Sequence, residues 1–218
     1  MGAPQGAGAL LGRGGVVTAI DTGVIALRGV TRRFGEQVVL DGLDLTLPAG
    51  KMTALMGPNA SGKTTVARLL LGLDAPDAGV VDGLAGLRCA AVFQEDRLCG
   101  HLSAIENLRL VLHHADWPRV GDELARVGLG GEALTKPVRE LSGGQRRRVA
   151  IARAMIVDAD LIVLDEPFTG LDVDVKPLVV AYVKERTVGR TAMLITHDRA
   201  EAKALGARVV TLKPTASP

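Results

Sequence analysis

The sequence "MTALMGPNASGKTTVARLLLG", residues 52–72, is the most informative stretch of the chain about its fold. Its first five residues form a nearly continuous apolar run, which is typical of a buried strand, and the residues after "GK" are typical of a helix that ends at Gly72. A glycine-rich loop in this position presents backbone N–H groups and the positive end of the helix to a polyphosphate. We therefore predict that this strand, loop and helix together bind a nucleotide.

The loop in this stretch matches the pattern G-x-x-x-x-G-K-[ST]. Lys63 is expected to reach the β- and γ-phosphates, and the Thr64 hydroxyl is expected to bind Mg²⁺. The pattern is a strong signal for nucleotide binding and a weak one for what happens to the nucleotide. The residues assigned to the loop are Gly57, Pro58, Asn59, Ala60, Ser61, Gly62, Lys63, Thr64 and Thr65.

A second apolar strand, in "LIVLDEP" (161–167), ends in two acidic residues. In an open parallel sheet, ligands collect at the carboxyl ends of the strands, so both side chains are expected near the nucleotide. Asp165 is suited to holding Mg²⁺, and Glu166 is suited to orienting and deprotonating an attacking water molecule. An isolated acidic pair is more often a solvated loop. The apolar residues before this pair and the phosphate loop upstream favour a site.

Two more polar residues follow apolar runs, Gln94 after "AAVF" and His197 after "MLIT". A histidine at a strand end is, by itself, more often structural or exposed than functional. Polar side chains at three strand ends on one edge of a sheet are more typical of a site than of coincidence.

Strands and helices alternate along most of the chain, which predicts an α/β fold with a P-loop NTPase core and a mostly parallel sheet. Short strands and turns over about 24–57 predict an N-terminal antiparallel β-subdomain, and residues 74–79 indicate a turn. Helices and loops over about 95–140 predict a small inserted helical subdomain. Residues 1–22 are predicted to be a flexible N-terminal tail, which leaves 23–213 as a single domain.

Composition disfavours several classes of function. Lys+Arg 26 against Asp+Glu 24 leaves a formal net charge of +2, and aromatic residues make up 2%, so a DNA or RNA partner is not expected. Cys89 and Cys99 lie in no metal-binding pattern, which favours reduced thiols. No apolar run approaches the ~18 residues that a membrane-spanning helix needs.

A second glycine loop, "LSGGQ" (141–145), precedes the arginine-rich run "RRRVAIARAM". Ser142 and Gln145 have the spacing of a capping box, as do Ser103 and Glu106 at another helix start. The arginine-rich run has two interpretations: a helix that contacts DNA, or a plain solvated helix face. The small net charge disfavours the first, so we predict that most of these arginines are solvated.

Taken together, these motifs resemble those of the ATP-binding cassette (ABC) ATPase family, over roughly residues 24–213. In the family's terms, "GPNASGKTT" is Walker A, "VFQE" the Q-loop, "LSGGQ" the signature and "LIVLDEP" Walker B with its glutamate. "TGLD" is the D-loop and "ITHD" the H-switch, and the order and spacing of all six match. The resemblance implies an ATPase that uses ATP and Mg²⁺.

The resemblance also implies that two cassettes meet head to tail, so that each signature loop closes over the ATP of its partner. The residues in such contacts are Ser142, Gly143, Gly144, Gln145 and, across the dimer, Asp172. Phe34 is expected to stack on adenine, and His197 to contact the γ-phosphate. Gln94 is expected to sense Mg²⁺ and the attacking water. Ala60 departs from the family, where glycine is frequent, and we expect little effect on binding.

As a single cassette, the chain resembles those of bacterial importers, and "VFQEDRLCGHLSAIENL" is similar to the nitrate, sulfonate and taurine type. The resemblance implies a second cassette, separate integral membrane permease subunits and a solute-binding protein as partners. The expected location is the cytoplasmic face of the cell membrane, as a peripheral subunit. The alternatives are a non-transport ABC ATPase, an exporter cassette, or a monomeric small-molecule kinase, in which the signature and D-loop have no role.

Overall fold

The computed structural model describes residues 24–213. The predicted flexible tail, residues 1–22, lies outside this part of the chain, and the assignment of 23–213 to a single domain stays a prediction.

The described strands and helices alternate as the sequence predicts. The strands are β1 Ile25–Phe34, β2 Gln37–Leu47, β3 Met52–Met56, β4 Ala78–Asp82, β5 Cys89–Val92, β6 Leu161–Asp165, β7 Thr191–Ile195 and β8 Arg208–Thr211. The α-helices are α1 Lys63–Leu70, α2 Ala104–Arg109, α3 Val120–Arg126, α4 Gly143–Met155, α5 Lys176–Arg186 and α6 Arg199–Ala204. Short 3-10 helices cover His114–Arg119, Gly131–Leu134 and Val138–Glu140.

The described strands form two sheets. One is antiparallel, in the order β2-β1-β4, and the other has the order β5-β6-β7-β3-β8 with parallel pairing throughout. β3 lies inside the second sheet, where Ala54 is paired with Leu194 of β7 and Val209 of β8. This arrangement confirms the predicted α/β fold with a parallel core and an N-terminal antiparallel unit.

The parallel sheet separates two hydrophobic cores. Alternate residues of its strands face opposite sides, as strand geometry requires, so Ala54 belongs to one core and Leu55 to the other. The first core packs the sheet against α4 and α5 and includes buried residues of α2 and α3. The second packs it against α1 and the antiparallel sheet. Burial on both faces explains the apolar runs in the sequence.

Residues 104–140 carry the helices predicted for the inserted region. α2 begins at a complete capping box, because the Ser103 side chain accepts from the Glu106 N–H and the Glu106 carboxylate accepts from the Ser103 N–H. The predicted box is therefore confirmed. Asn107 is fully buried and its side-chain amide binds the backbone of Cys99, which fixes the loop before α2.

No helix between residues 24 and 213 has both the length and the apolar character needed to cross a membrane.

Candidate nucleotide site

The site lies where four neighbouring strands end. β5 is followed by Gln94, β6 ends at Asp165 and is followed by Glu166, β7 leads to His197, and β3 leads into the glycine-rich loop. Because these strands are parallel and adjacent, their carboxyl ends share one edge of the sheet. A cavity of about 490 Å³ opens there, lined by residues of the loop together with Gln94, Asp165 and Glu166.

The glycine-rich loop is shaped by two glycines that cannot be replaced without clashes. A Cβ on Gly57 would lie 2.6 Å from the Leu212 carbonyl oxygen, and one on Gly62 would lie 2.6 Å from a methyl of Leu40. Gly62 also has φ +93°, a backbone conformation that residues with a side chain rarely adopt. It is the N-cap of α1 and provides no side-chain hydrogen bond. The first N–H groups of α1 thus face the cavity edge with no side-chain cap, as an anion site requires.

Lys63 and Ser61 complete the phosphate-binding character of the loop. The Lys63 ammonium donates to the carbonyl oxygens of Gly57 at 2.9 Å and Pro58 at 2.6 Å, which holds it beside the loop. The Ser61 hydroxyl is 2% exposed and has no hydrogen-bond partner among residues 24–213. A buried hydroxyl without a partner is costly in a native fold, so its position fits a loop that receives a polar ligand.

Thr64 and Asp165 form a pair suited to a cation. The Thr64 hydroxyl donates to Asp165 Oδ2 at 3.2 Å, and Asp165 is 4% exposed. Burial raises the pKa of the Asp165 carboxyl, and the hydrogen bond from Thr64 opposes this shift. Within residues 24–213, Asp165 has no ion pair with a lysine or arginine. A buried carboxyl group next to a hydroxyl, with no direct ion pair among residues 24–213, fits Mg²⁺ held partly by substrate phosphates.

Glu166 is held from several sides. Its backbone has φ +48°, a conformation that non-glycine residues rarely adopt and that is common at active sites. Glu166 Oε1 lies 3.0 Å from His197 Nδ1, and Oε2 accepts from the Thr169 hydroxyl at 3.3 Å. The hydrogen bond and charge of Glu166 raise the pKa of the exposed His197 imidazole. The fold therefore brings the ends of β6 and β7 into contact, as the sequence predicts.

The signature loop lies outside the cavity. Ser142 caps α4 in a complete capping box with Gln145, as predicted, and Ser142 and Gly143 are exposed. Gly144 packs instead against the D-loop, where a Cβ would be 3.2 Å from the Gly170 carbonyl oxygen and 4.0 Å from an Asp172 carboxylate oxygen. The exposed N–H end of α4 thus faces solvent beside the D-loop of the same chain.

Two of the four arginines that follow the signature loop are buried and the other two are partly buried, so the prediction that most of them are solvated is wrong. Arg147 and Arg148 are 6% and 8% exposed. Arg147 donates to the carbonyl oxygens of Phe93 at 2.6 Å and Gln94 at 2.7 Å, and Arg148 donates to Gly128 at 2.6 Å. Partly buried loop carbonyls need donors, and a guanidinium supplies several at once. Arg147 therefore joins the signature helix to the segment that carries Gln94.

Phe34 ends β1, is 47% exposed, and is covered by the Arg32 guanidinium 4.9 Å from its ring centroid. It does not line the cavity, whereas Gln37 and Val39 of β2 do. Sequence reasoning missed both β2 residues, because only the pairing of β2 with β1 brings them over the loop.

Comparison with known proteins agrees with this geometry. Residues 40–169 match the family model described as ABC transporter. The chain is 40% identical over 212 residues to an aliphatic sulfonates import ATP-binding protein, SsuB 2, of Pseudomonas aeruginosa, which covers 92% of this chain and 76% of that protein. It is 39% identical over 207 residues to a spermidine/putrescine import ATP-binding protein, PotA, of Nitratidesulfovibrio vulgaris, which covers 87% of this chain but 56% of that protein.

Among solved structures, the fold is similar to a dimer of the ATP-binding cassette MJ0796 in a post-hydrolysis state bound to ADP and Pi. The TM-score is 0.76 at 27% identity, covering 87% of this chain and 94% of that chain. The family model spans more than half of the chain, and residues of the phosphate loop, Gln94, Asp165 and Glu166 within it line the nucleotide cavity. The chain therefore belongs to the ABC transporter family, as one of its ATP-binding cassettes.

Proposed function

We propose that the chain hydrolyses ATP, with Glu166 as general base. The observation that carries this proposal is the position of Glu166, directly after the buried Asp165 and in contact with His197 at the cavity edge. A Glu166 carboxylate held there can orient a water molecule and take its proton as the water attacks the γ-phosphate. Lys63 then binds the β- and γ-phosphates, and His197 contacts the γ-phosphate from the neighbouring strand end.

Mg²⁺ is proposed to be held by Thr64 and Asp165, with Gln94 as a further ligand that reports on its presence. Both Thr64 and Asp165 carry oxygen atoms, which Mg²⁺ prefers, and they lie in direct contact. When bound there, Mg²⁺ would neutralise part of the negative charge of the phosphates. Phe34 is proposed to stack on the adenine from outside the cavity described here, whose lining includes Gln37 and Val39 of β2.

A second cassette is proposed to complete the site. The exposed signature loop presents anion-binding N–H groups but lies outside its own chain's cavity. An isologous contact between two copies uses both half-sites twice. The dimer of the similar cassette bound to ADP and Pi supports this arrangement.

The assembly is proposed to be a bacterial importer, with permease subunits in the membrane, a solute-binding protein, and the cassette on the cytoplasmic face. The names of the similar proteins support import, and the solute classes in those names differ: sulfonates in one case, polyamines in the other. An exporter cassette and a non-transport ABC ATPase are the alternatives.

The catalytic role of Glu166 is tested by the Glu166→Gln variant. We expect it to bind ATP with unchanged affinity while phosphate release falls at least about 100-fold, because the general base is lost. Fluorescent-nucleotide titration gives the affinity, and a coupled phosphate assay gives the rate. Glu132→Gln, which removes an exposed carboxylate paired with Lys136 on the helical side, is the matched control. Near-normal hydrolysis by Glu166→Gln would contradict the assignment of Glu166 as the general base.

A further inference from the structure

A buried hydrogen-bond network lies directly behind His197. Thr196, which is 0% exposed, donates its hydroxyl hydrogen to Glu201 Oε2 at 2.5 Å. The same hydroxyl oxygen accepts from the Asp198 N–H at 3.0 Å. His197 stands between the two residues tied by this bond, so the network fixes the turn from which its ring extends toward Glu166.

This network depends on a charge from another element. Glu201 is 7% exposed, and its Oε1 lies 2.7 Å from Lys176 Nζ. Lys176 Nζ also lies 3.5 Å from Asp198 Oδ2. Within residues 24–213, Lys176 provides the ion pair of Glu201. A nearly buried carboxylate that also holds a hydroxyl needs a counter-charge to keep its geometry, and Lys176 supplies it.

Lys176 connects this turn to the D-loop. It is the first residue of α5, and its backbone N–H donates to the Asp172 carbonyl oxygen at 2.9 Å. Asp172 belongs to the loop against which Gly144 of the signature packs. Contacts therefore run without a break from the signature loop through the D-loop and Lys176 to the turn that carries His197.

We propose that Lys176 is a positioning residue for hydrolysis. It fixes the position of the turn that carries His197 relative to the D-loop of the same chain. This inference rests on the proposed ATPase activity. The contacts of Lys176 are nevertheless separate from those that support the ATPase activity, because Lys176 does not line the nucleotide cavity and lies outside the recognised motifs. Lys176 acts through the Glu201 and Asp198 carboxylates on the geometry of His197.

The first test compares Lys176→Gln with Lys184→Gln. Lys184 is an exposed lysine on the same helix, and its side chain has no ion pair or hydrogen bond among residues 24–213. We expect Lys176→Gln to lower kcat about fivefold to tenfold, because a small misplacement of a catalytic group has effects of this order or larger. KM and the ATP dissociation constant stay unchanged, Lys176→Arg restores most of the rate, and Lys184→Gln matches the wild type.

The second test asks whether the effect passes through His197. In a His197→Ala background, followed with radiolabelled ATP, Lys176→Gln should cause no further loss of rate, since the group it positions is gone. An equal fold-loss in both backgrounds overturns the proposal, as does a wild-type kcat for Lys176→Gln. A parallel loss of ATP affinity also overturns it, because Lys176 then acts on binding or folding.

The third readout needs no ATPase activity, so it separates this inference from the proposed function. Amide hydrogen exchange should be faster at residues 196–198 in Lys176→Gln than in the wild type, and unchanged in β3. Lys184→Gln should leave both segments as in the wild type. Unchanged exchange at 196–198 refutes the positioning role even if the chain proves inactive, whereas an inactive wild type with the expected exchange pattern removes only the proposed function.

Discussion

Two glycine loops in this chain offer the same backbone chemistry in opposite settings. The phosphate loop, 57–65, closes around a cavity, with Ser61 and Gly62 buried and Lys63 bound to its carbonyl oxygens. The signature loop, 141–145, also forms the start of a helix, but Ser142 and Gly143 are exposed and no part of it lines that cavity. Each loop places N–H groups at a positive helix end. Only the first is surrounded by the other parts of a site.

The difference lies in what the rest of the fold brings to each loop. The phosphate loop follows a central strand, so the parallel sheet delivers Asp165, Glu166 and Gln94 to the same edge. The signature loop follows a short 3-10 helix and contacts the D-loop, which offers it a carbonyl and a carboxylate but no cation. The signature loop therefore has the character of half a site, whose remaining parts come from another molecule.

The largest effect on ATP binding is expected when the phosphate loop loses the positive charge of Lys63. Lys63→Ala should weaken ATP binding about thirtyfold or more, since a charge-assisted contact to a desolvated phosphate contributes on the order of 2 kcal/mol. Isothermal titration with ATP gives the dissociation constant. Lys51→Ala, at an exposed lysine just before β3, is the matched control. An unchanged constant in Lys63→Ala places ATP somewhere other than this loop.

The smallest effect is expected at Ala60, the one alanine of the phosphate loop. Its backbone has φ +62°, where an alanine is strained and a glycine is not. Ala60→Gly should stabilise the fold by up to about 1 kcal/mol, because relief of strain exceeds the added freedom of the unfolded chain. Urea unfolding measures this change, and the ATP dissociation constant should stay within about twofold. A clear loss of stability would contradict this expectation and show that packing of the Ala60 methyl group contributes more than the strain costs.

The phosphate loop and the strand ends were predictable because their signals are local. A buried strand shows as an apolar run, and the residue that follows it lies at the sheet edge in any parallel arrangement, so Asp165 and His197 could be placed from the sequence alone. The capping boxes at Ser103 and Ser142 were equally local, because each is closed within four residues.

Long-range contacts were not predictable in this way. Arg147 and Arg148 have the sequence pattern of a solvated face, yet their partners are loop carbonyls distant in the chain, up to 54 residues away. β4 is the third strand of the antiparallel sheet, but it begins inside a stretch with the composition of a turn, and its residues are exposed or half-buried. No hydrophobic pattern marks such an edge strand, so only pairing with β1 defines it.

Mixing two inactive variants, Lys63→Ala and Ser142→Arg, tests whether the signature loop is half of a site shared by two chains. If signature loops act across a two-fold dimer, each mixed dimer has one site with both intact halves and one with neither. An equal mixture should then recover about a quarter of the wild-type ATPase rate, since half of the dimers are mixed and each has one working site. A mixture no more active than the sum of its separate variants, both folded by circular dichroism, contradicts the account.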